Sequence, residues 1–364
     1  MTDIIRVAAD NPDPTAIARA AECLRSGGLV AFPTETVYGL GVNALDRAAV
    51  QRLFAAKQRP LNDPLIVHVG SFESIAPLVS RVPKSARSLA RHFWPGPLTM
   101  IFPRSARVPD EVTAGLPNVA VRVPAHPVAR ALIDAAAVPV AAPSANLFSR
   151  PSPTQASHVV DDLDGRIDLV VDGGSTTIGV ESTVLDLTSD APTILRPGAV
   201  TIEMLRKVIR RVRVSPGLGV RDSGSGLRDS GLENTPMPSP GMLEKHYSPR
   251  ALLTLYEGET GAVLQLLTEA AGAALAEGKS VGLIAAEEDR AALASLGAHP
   301  RLFFRAIGSE DAPDVVASRL YPTLRELDAA GADIILVRGF SDRGLGAAVQ
   351  DRLRRAAAGR IIRR

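Results

Sequence analysis

Short apolar runs punctuate residues 1–211: LVAF (29–32), PLIVHV (64–69), LTMIF (98–102), VAVRV (119–123), VPVAA (138–142), IDLVV (167–171) and STVLDL (182–187). They predict strands. Helical stretches lie between several of them, DRAAVQRLFAAK (46–57) and HPVARALIDAAA (126–137) among them. Asp13 is placed to cap a helix with Pro14 at its first position, and Gly27 to stop it. Some strands follow one another with only turns between, which predicts a mixed sheet.

The pattern breaks at residues 212–248, which are rich in Gly, Ser and Pro and carry a near-repeat, VRDSGSG then LRDSGLE. No hydrophobic period survives there, so the segment reads as a linker or long loop. A second pattern starts after residue 250: ALLTLYEG, a helix through LLTEAAGAALAEG, SVGLIAA, a helix EEDRAALASLG, RLFFRAIG, a helix DVVASRLYPTLRELDAAG, ADIILVRG, and a helix from GLGAAVQDRLRRAAAG. Regular alternation implies a small parallel sheet with helices on both faces. The domain lacks G-x-G-x-x-G after its first strand, so a dinucleotide is not indicated.

Composition narrows the function classes. The 364 residues suit two domains, and 46% hydrophobic with 22% charged residues is ordinary for a globular protein. No apolar run reaches membrane-helix length and the N-terminus has no signal-peptide layout, so a soluble cytoplasmic protein is expected. Cys23 is the only cysteine, which removes an internal disulfide and disfavours a thiolate metal site. A net charge of +2 argues against the whole protein being an electrostatic glove for nucleic acid. The basic tail GRIIRR (359–364) reads as a solvated end.

Walker, H-E-x-x-H and G-x-S-x-G motifs are absent. Four polar clusters carry the chemistry instead. FPTETVYGLG (32–41) delivers Thr34, Glu35, Thr36 and Tyr38 at a strand end and then opens into Gly39 and Gly41. KQRPLNDPLIVH (57–68) sets Lys57 and Arg59 before Asn62 and Asp63 and a strand carrying His68. Its two cations could cap a helix or hold a polyphosphate, and His68 could be a core histidine or a site group. Arg122 interrupts an apolar strand in VRVPAHP (121–127), which requires an ion pair or a ligand, while His126 reads as structural. VAAPSANLFSRPSPT (140–154) sets Ser144, Asn146, Ser149 and Ser152 among prolines, a composition able to cradle phosphate or nucleobase. Ser182 and Thr183 enter a later strand, and Arg196 follows in ILRPG.

In their order, FPTETVYGLG, K-x-R, PLIVH, WPGPLT (94–99), APSAN with SPT, GVESTV, LRPG and PGM…HYSP closely resemble the Sua5 branch of the YrdC/Sua5 family, the threonylcarbamoyl-adenylate synthases, over nearly the whole chain. The resemblance implies an α/β fold: a YrdC-like mixed-sheet catalytic domain with a concave substrate cavity over residues 1–211, a linker and lid over 212–249, and a smaller Rossmann-like parallel Sua5-type domain over 250–364. It implies a nucleotidyltransferase that makes L-threonylcarbamoyl-AMP, pyrophosphate and water from L-threonine, bicarbonate or CO2, and ATP with Mg²⁺. The product would feed a transferase that modifies the tRNA adenosine beside the anticodon, with at most a weak tRNA contact here. By the same resemblance Lys57, Arg59, Asp63, Asn118, Ser144, Asn146, Ser152, His246 and Tyr247 fall to ATP, and Thr34, His68, Arg122, Ala142, Ser182 and Arg196 to threonine. No residue is assigned to a metal, and for acid–base catalysis His68 is only a candidate to take the amine proton. PTET becomes a wall of the cavity, its glycines letting the chain turn closely beneath it. PSPGMLEKHYSP (238–249) becomes a lid over the cavity.

The chain departs from many relatives at Asn62-Asp63, where they read Asp-Asn, and at Leu243 and Glu244, where archaeal-type relatives carry Lys and Tyr. Two other readings are a YrdC-type RNA-binding module and a carbamoyl transferase of the hydrogenase-maturation type. The latter requires zinc-finger cysteines and an acylphosphatase segment.

Overall fold

A computed structural model describes residues 1–216, 236–239, 241 and 246–364. The chain divides into two compact units. The first holds residues 1–148, 153–177 and 181–243, and the second holds residues 149–152, 178–180 and 244–364.

The first unit runs β1 (Asp3–Arg6), α1 (Pro14–Arg25), β2 (Val30–Pro33), β3 (Tyr38–Asn43), α2 (Arg47–Lys57), β4 (Ile66–His68), α3 (Lys84–Phe93), β5 (Leu98–Pro103) and α4 (Asp110–Thr113). It continues through β6 (Asn118–Arg122), α5 (Pro127–Ala136), β7 (Val140–Ala141), α6 (Ala156–Leu163), β8 (Leu169–Asp172), β9 (Thr183–Asp186), β10 (Thr193–Arg196), α7 (Ile202–Val208) and β11 (Arg213–Val214). The strands form one sheet in the order β1-β8-β2-β3-β7-β4-β6-β5-β9-β10-β11. It is mixed: β2 pairs antiparallel with β3, and β4 pairs parallel with β6 but antiparallel with β7. Strand β11 lies inside the segment read from sequence as linker, paired parallel with β10.

Alternation along the strands sorts the core to two faces. Val30 and Phe32 of β2, with Leu169 and Val171 of β8, pack against α1 and α5 through Ile17, Leu24, Val128 and Leu132. Ala31 and Val170 point the other way, into the core of Leu53, Leu89, Val159 and Leu205 from α2, α3, α6 and α7. Helix α1 begins as expected, with the Asp13 carboxylate accepting from the Thr15 and Ala16 N–H groups, and Gly27 follows its end at φ +78°.

The glycines of FPTETVYGLG correct the sequence reading. Gly39 and Gly41 lie inside β3 and turn nothing. Gly41 has no side chain because a Cβ there would stand 2.7 Å from Phe32 Cε1 and 2.8 Å from Val140 Cγ1, whereas one on Gly39 would meet its nearest neighbour at 3.4 Å. The glycine thus lets β2 and β7 close over β3.

The second unit runs β12 (Leu252–Glu257), α8 (Thr260–Ala276), β13 (Val281–Ala285), β14 (Leu302–Ala306), α9 (Pro313–Ala329), β15 (Ile334–Arg338), α10 (Gly346–Ala357) and β16 (Ile361–Arg363). Its sheet, β14-β13-β15-β12-β16, is wholly parallel. Val281, Leu283 and Ala285 of β13 face α8, while Gly282 sits beneath Leu327 of α9. The helix expected over EEDRAALASLG is replaced by two 3₁₀ turns, Glu287–Arg290 and Ala294–Leu296. The cause is Asp289, whose carboxylate turns back to the Ala286 N–H at 2.9 Å and pairs with buried Arg338 at 3.2 Å. Among the described residues, no helix is long and apolar enough to cross a membrane.

Gly41→Ala should destabilise the first unit by about 1–3 kcal/mol, the ordinary cost of overpacking, and Gly39→Ala by less. Urea denaturation of the two variants side by side checks the order.

Candidate functional site

Between β2 and β3 the chain makes a buried turn, Thr34–Val37. Thr34 forms it: its hydroxyl donates to the Val37 carbonyl at 2.6 Å, accepts from the Thr36 and Val37 N–H groups, and lies 2.8 Å from Thr36 Oγ1. Tyr38 donates its phenol to the Gly174 carbonyl at 2.7 Å. These hydroxyls build the turn and leave Glu35 and Thr36 to face β6.

Arg122 closes β6, in register with His68 at the end of neighbouring β4. Only 4% of its side chain is exposed. Its Nε donates to the Gly96 carbonyl at 3.1 Å and its Nη1 to Thr36 Oγ1 at 3.0 Å. Its Nη2 lies 2.5 Å from Glu35 Oε1. Neither of those two atoms makes an aligned hydrogen bond, although both are cut off from water. The second Glu35 oxygen accepts from the Ala125 N–H at 3.0 Å. Burial pushes the Glu35 carboxyl up, but the Arg122 charge and these hydrogen bonds outweigh it and hold the group below its ordinary range.

His68 is buried, edge-on to the Phe32 ring with centroids 6.5 Å apart, and its Nδ1 has no hydrogen-bond partner. Burial, with the Arg122 charge beside it, pushes its pKa down to about 3, so the imidazole is neutral at physiological pH. Ala142 sits next to the same strand, its N–H donating to the Ile66 carbonyl at 2.9 Å.

The cations of the K-x-R motif are held from below. Lys57 ends α2, and its Nζ donates to the carbonyls of Ser144 and Asn146, both at 2.5 Å. The loop carrying Ser144 and Asn146 also bridges to β3 through Gly39 and Ser144. Arg59 donates to the carbonyls of Asp63 and Pro64 and pairs with the Asp63 carboxylate at 2.9 Å. Asp63 is fully buried and also accepts from the Gly241 N–H at 3.3 Å. Burial lowers the Lys57 pKa well below that of a free lysine and raises that of Asp63 against the pull of Arg59. Asp63, assigned to ATP, therefore serves Arg59 in this structure.

Arg196 ends β10 and donates through Nε and Nη2 to the Ser182 carbonyl, and through Nη2 to its hydroxyl. That hydroxyl lies 2.8 Å from Thr99 Oγ1. The first unit therefore gathers Thr34, His68, Arg122, Ala142, Ser182, Arg196, Lys57, Arg59, Asp63, Ser144 and Asn146 onto neighbouring strands and their connections. Asn118 opens β6 and so stands roughly 13 Å along that strand from Arg122. Ser152, His246 and Tyr247 belong to the second unit. There the Tyr247 ring packs 5.6 Å from Tyr321, with the Arg352 guanidinium 5.6 Å above it. The expectations on Leu243 and Glu244, and on Pro240 and residues 242–245 of the proposed lid, lie outside the described residues.

Sequence reasoning did not assign Glu35, Thr36, Gly96 or Thr99. A carboxylate at the end of one apolar strand and an arginine at the end of another was the available signal for the first.

Comparison with known proteins agrees with the quoted motifs. A family model described as Telomere recombination, covering Sua5, YciO and YrdC, matches residues 22–198, and one described as Threonylcarbamoyl-AMP synthase, C-terminal domain, matches residues 200–358. The chain is similar to the threonylcarbamoyl-AMP synthase of Pyrococcus abyssi, 43% identical over all of both chains. The chain belongs to the Sua5/YrdC family. It is likewise similar to the threonylcarbamoyl-AMP synthase of Bacillus subtilis, 42% identical over 95% of this chain and 94% of that one. The crystal structure of P. abyssi Sua5 complexed with L-threonine covers 100% of both chains at a TM-score of 0.88 and 42% identity. Like these Sua5 relatives, the chain is an enzyme of the nucleotidyltransferase type.

The His68 environment sets a pH dependence. Unfolded, His68 takes up a proton below about 6.5, while folded it stays neutral down to about 3. The unfolded state thus binds the extra proton, and stability falls as pH drops through that window. His68→Gln should lessen the slope by up to about 1.4 kcal/mol per pH unit. Denaturation of wild type and variant at pH 7 and pH 5 checks this, since the other titrating groups cancel.

Proposed function

We propose that this protein joins L-threonine, bicarbonate or CO2, and ATP into L-threonylcarbamoyl-AMP, releasing pyrophosphate and, when bicarbonate is the carbon source, one water. The observation that carries the reading is Arg122: a buried guanidinium paired with Glu35, beside a neutral histidine, at a position the family motif gives to threonine. The full-length likeness to a Sua5 structure holding L-threonine supports it.

The chemistry needs no protein nucleophile. The neutral threonine amine attacks CO2: an N–C bond forms, one C=O pair moves onto oxygen, and the amine loses a proton to solvent, giving the N-carboxylate. Its oxygen attacks the α-phosphorus of ATP, a P–O bond forms, and the bond to pyrophosphate breaks. The residues align and shield these groups. Arg122 holds the threonine carboxylate as a planar fork. His68, kept neutral by burial and by the Arg122 charge, serves as a hydrogen-bonding wall. Ser182 and Arg196 close the far side of the threonine position. Lys57 shapes the Ser144–Asn146 loop by its two carbonyl contacts, and with Arg59 places positive charge beside the phosphates. Mg²⁺ would enter with ATP, on its phosphates, as part of that substrate. The adenylate would then pass to the transferase that modifies tRNA.

Incubation with ATP, labelled bicarbonate and each of several amino acids tests the reading. Label should enter an adenylate, with pyrophosphate released, only when threonine is present. Label without threonine dependence, or none at all, would defeat it. Lys57→Ala should lower kcat/KM for ATP by roughly thirty- to several-thousand-fold, the range for truncating one side of a buried charged contact. Initial rates at low ATP, on protein with native circular dichroism, provide the check.

A further inference from the structure

We propose that Glu35 is a positioning residue for threonine: it fixes the Arg122 guanidinium in the orientation that receives the substrate carboxylate. The inference rests on the threonine reading above and adds a residue that reading does not use.

Three observations support it. Glu35 is anchored at three points: Oε2 accepts from the Ala125 N–H at 3.0 Å, Oε1 touches Arg122 Nη2 at 2.5 Å, and its backbone carbonyl accepts from Thr177 Oγ1 at 3.3 Å. It thereby ties the turn after β2 to the turn between β6 and α5. The three anchors on Arg122 come from two separate segments, Glu35 and Thr36 in one turn and the Gly96 carbonyl in another loop, which leaves the planar group little freedom to rotate. Finally, the anchoring is incomplete where a ligand would complete it. Of five guanidinium N–H groups, Nε and one on Nη1 donate to protein acceptors and Nη2 faces the Glu35 carboxylate, which leaves one N–H each on Nη1 and Nη2 for a ligand. A bidentate carboxylate needs two such N–H groups on one edge.

Charge supports the same role. A guanidinium buried without a counter-ion would be costly in the empty site, and Glu35 supplies that counter-ion. Nearby His68 is neutral and cannot substitute for it. Without Glu35, Arg122 would turn toward water or another acceptor, and threonine would have to re-order it on binding.

Steady-state kinetics on the full-length enzyme test the proposal with Glu35→Gln, Glu35→Ala, Arg122→Ala and the double variant Glu35→Ala/Arg122→Ala. Glu35→Ala should raise the threonine KM about tenfold or more, with the ATP KM within about twofold of wild type and kcat at saturating threonine largely kept. Glu35→Gln keeps the shape and an acceptor, so its threonine KM should rise only about two- to fivefold. In the Arg122→Ala background, adding Glu35→Ala should change the threonine KM little, because the group it positions is gone. A purely structural role would instead lower kcat and the melting temperature and move both KM values together, and that result overturns the proposal. So does a Glu35→Gln enzyme with the wild-type threonine KM, or a Glu35→Ala effect that persists undiminished without Arg122. If Glu35→Ala does not fold, Glu35→Gln and the double variant, which leaves no orphaned charge, carry the test. Wild-type enzyme indifferent to threonine would overturn the threonine reading itself; wild type that uses threonine beside an unaffected Glu35→Gln overturns only the role of Glu35.

Discussion

A guanidinium removed from water must find its charge and hydrogen bonds inside the protein, and the arrangement around Arg122 follows from that constraint. Glu35 provides the charge and Thr36 and Gly96 the acceptors, while the Ala125 N–H holds the second Glu35 oxygen. The turn after β2, the loop before β5 and the turn after β6 are thereby drawn to one point. The mixed sheet makes this possible. With β4 and β6 parallel, His68 and Arg122 emerge side by side at the same sheet end, and antiparallel β7 sets Val140 beside His68 and Ala142 two positions back, against Ile66.

The same economy appears at the other cations. Lys57 and Arg59 do not reach outward as flexible ligands. Lys57 grips two carbonyls of the Ser144–Asn146 loop, and Arg59 grips the backbone and carboxylate of its own loop through Asp63. Groups held in this way lose little further freedom when substrate arrives, which favours alignment over recruitment. The resulting electrostatics are consistent: neutral His68 beside a compensated Arg122, and a buried Lys57 with reduced proton affinity beside Arg59.

Much of this was legible in the sequence, and for identifiable reasons. The strands of both units announce themselves as apolar runs, and Asp13–Pro14 and Gly27 mark α1 by local chemistry alone. Arg122 was conspicuous because a cation in an apolar strand demands an explanation. Its partner was not, because Glu35 lies in a turn where any polar residue is at home, and only the fold shows which charge it meets. Gly41 was misread for a related cause: a glycine after a polar turn suggests backbone freedom, whereas what it supplies is space for Phe32 and Val140. The EEDRAALASLG segment has helical composition, but the pairing of Asp289 with Arg338, nearly fifty residues away, overrides it. Long-range ion pairs and close strand packing leave no local trace, and each of these misreadings turns on one or the other.

The central claim is that a buried Arg122, held by Glu35, receives the carboxylate of threonine. A crystal structure of the full-length protein with L-threonine tests it most directly. The account predicts the threonine carboxylate on the Arg122 guanidinium, His68 beside it, and the Glu35–Arg122 contact intact. Threonine bound away from Arg122, or a Glu35 that releases the arginine when threonine binds, would contradict it.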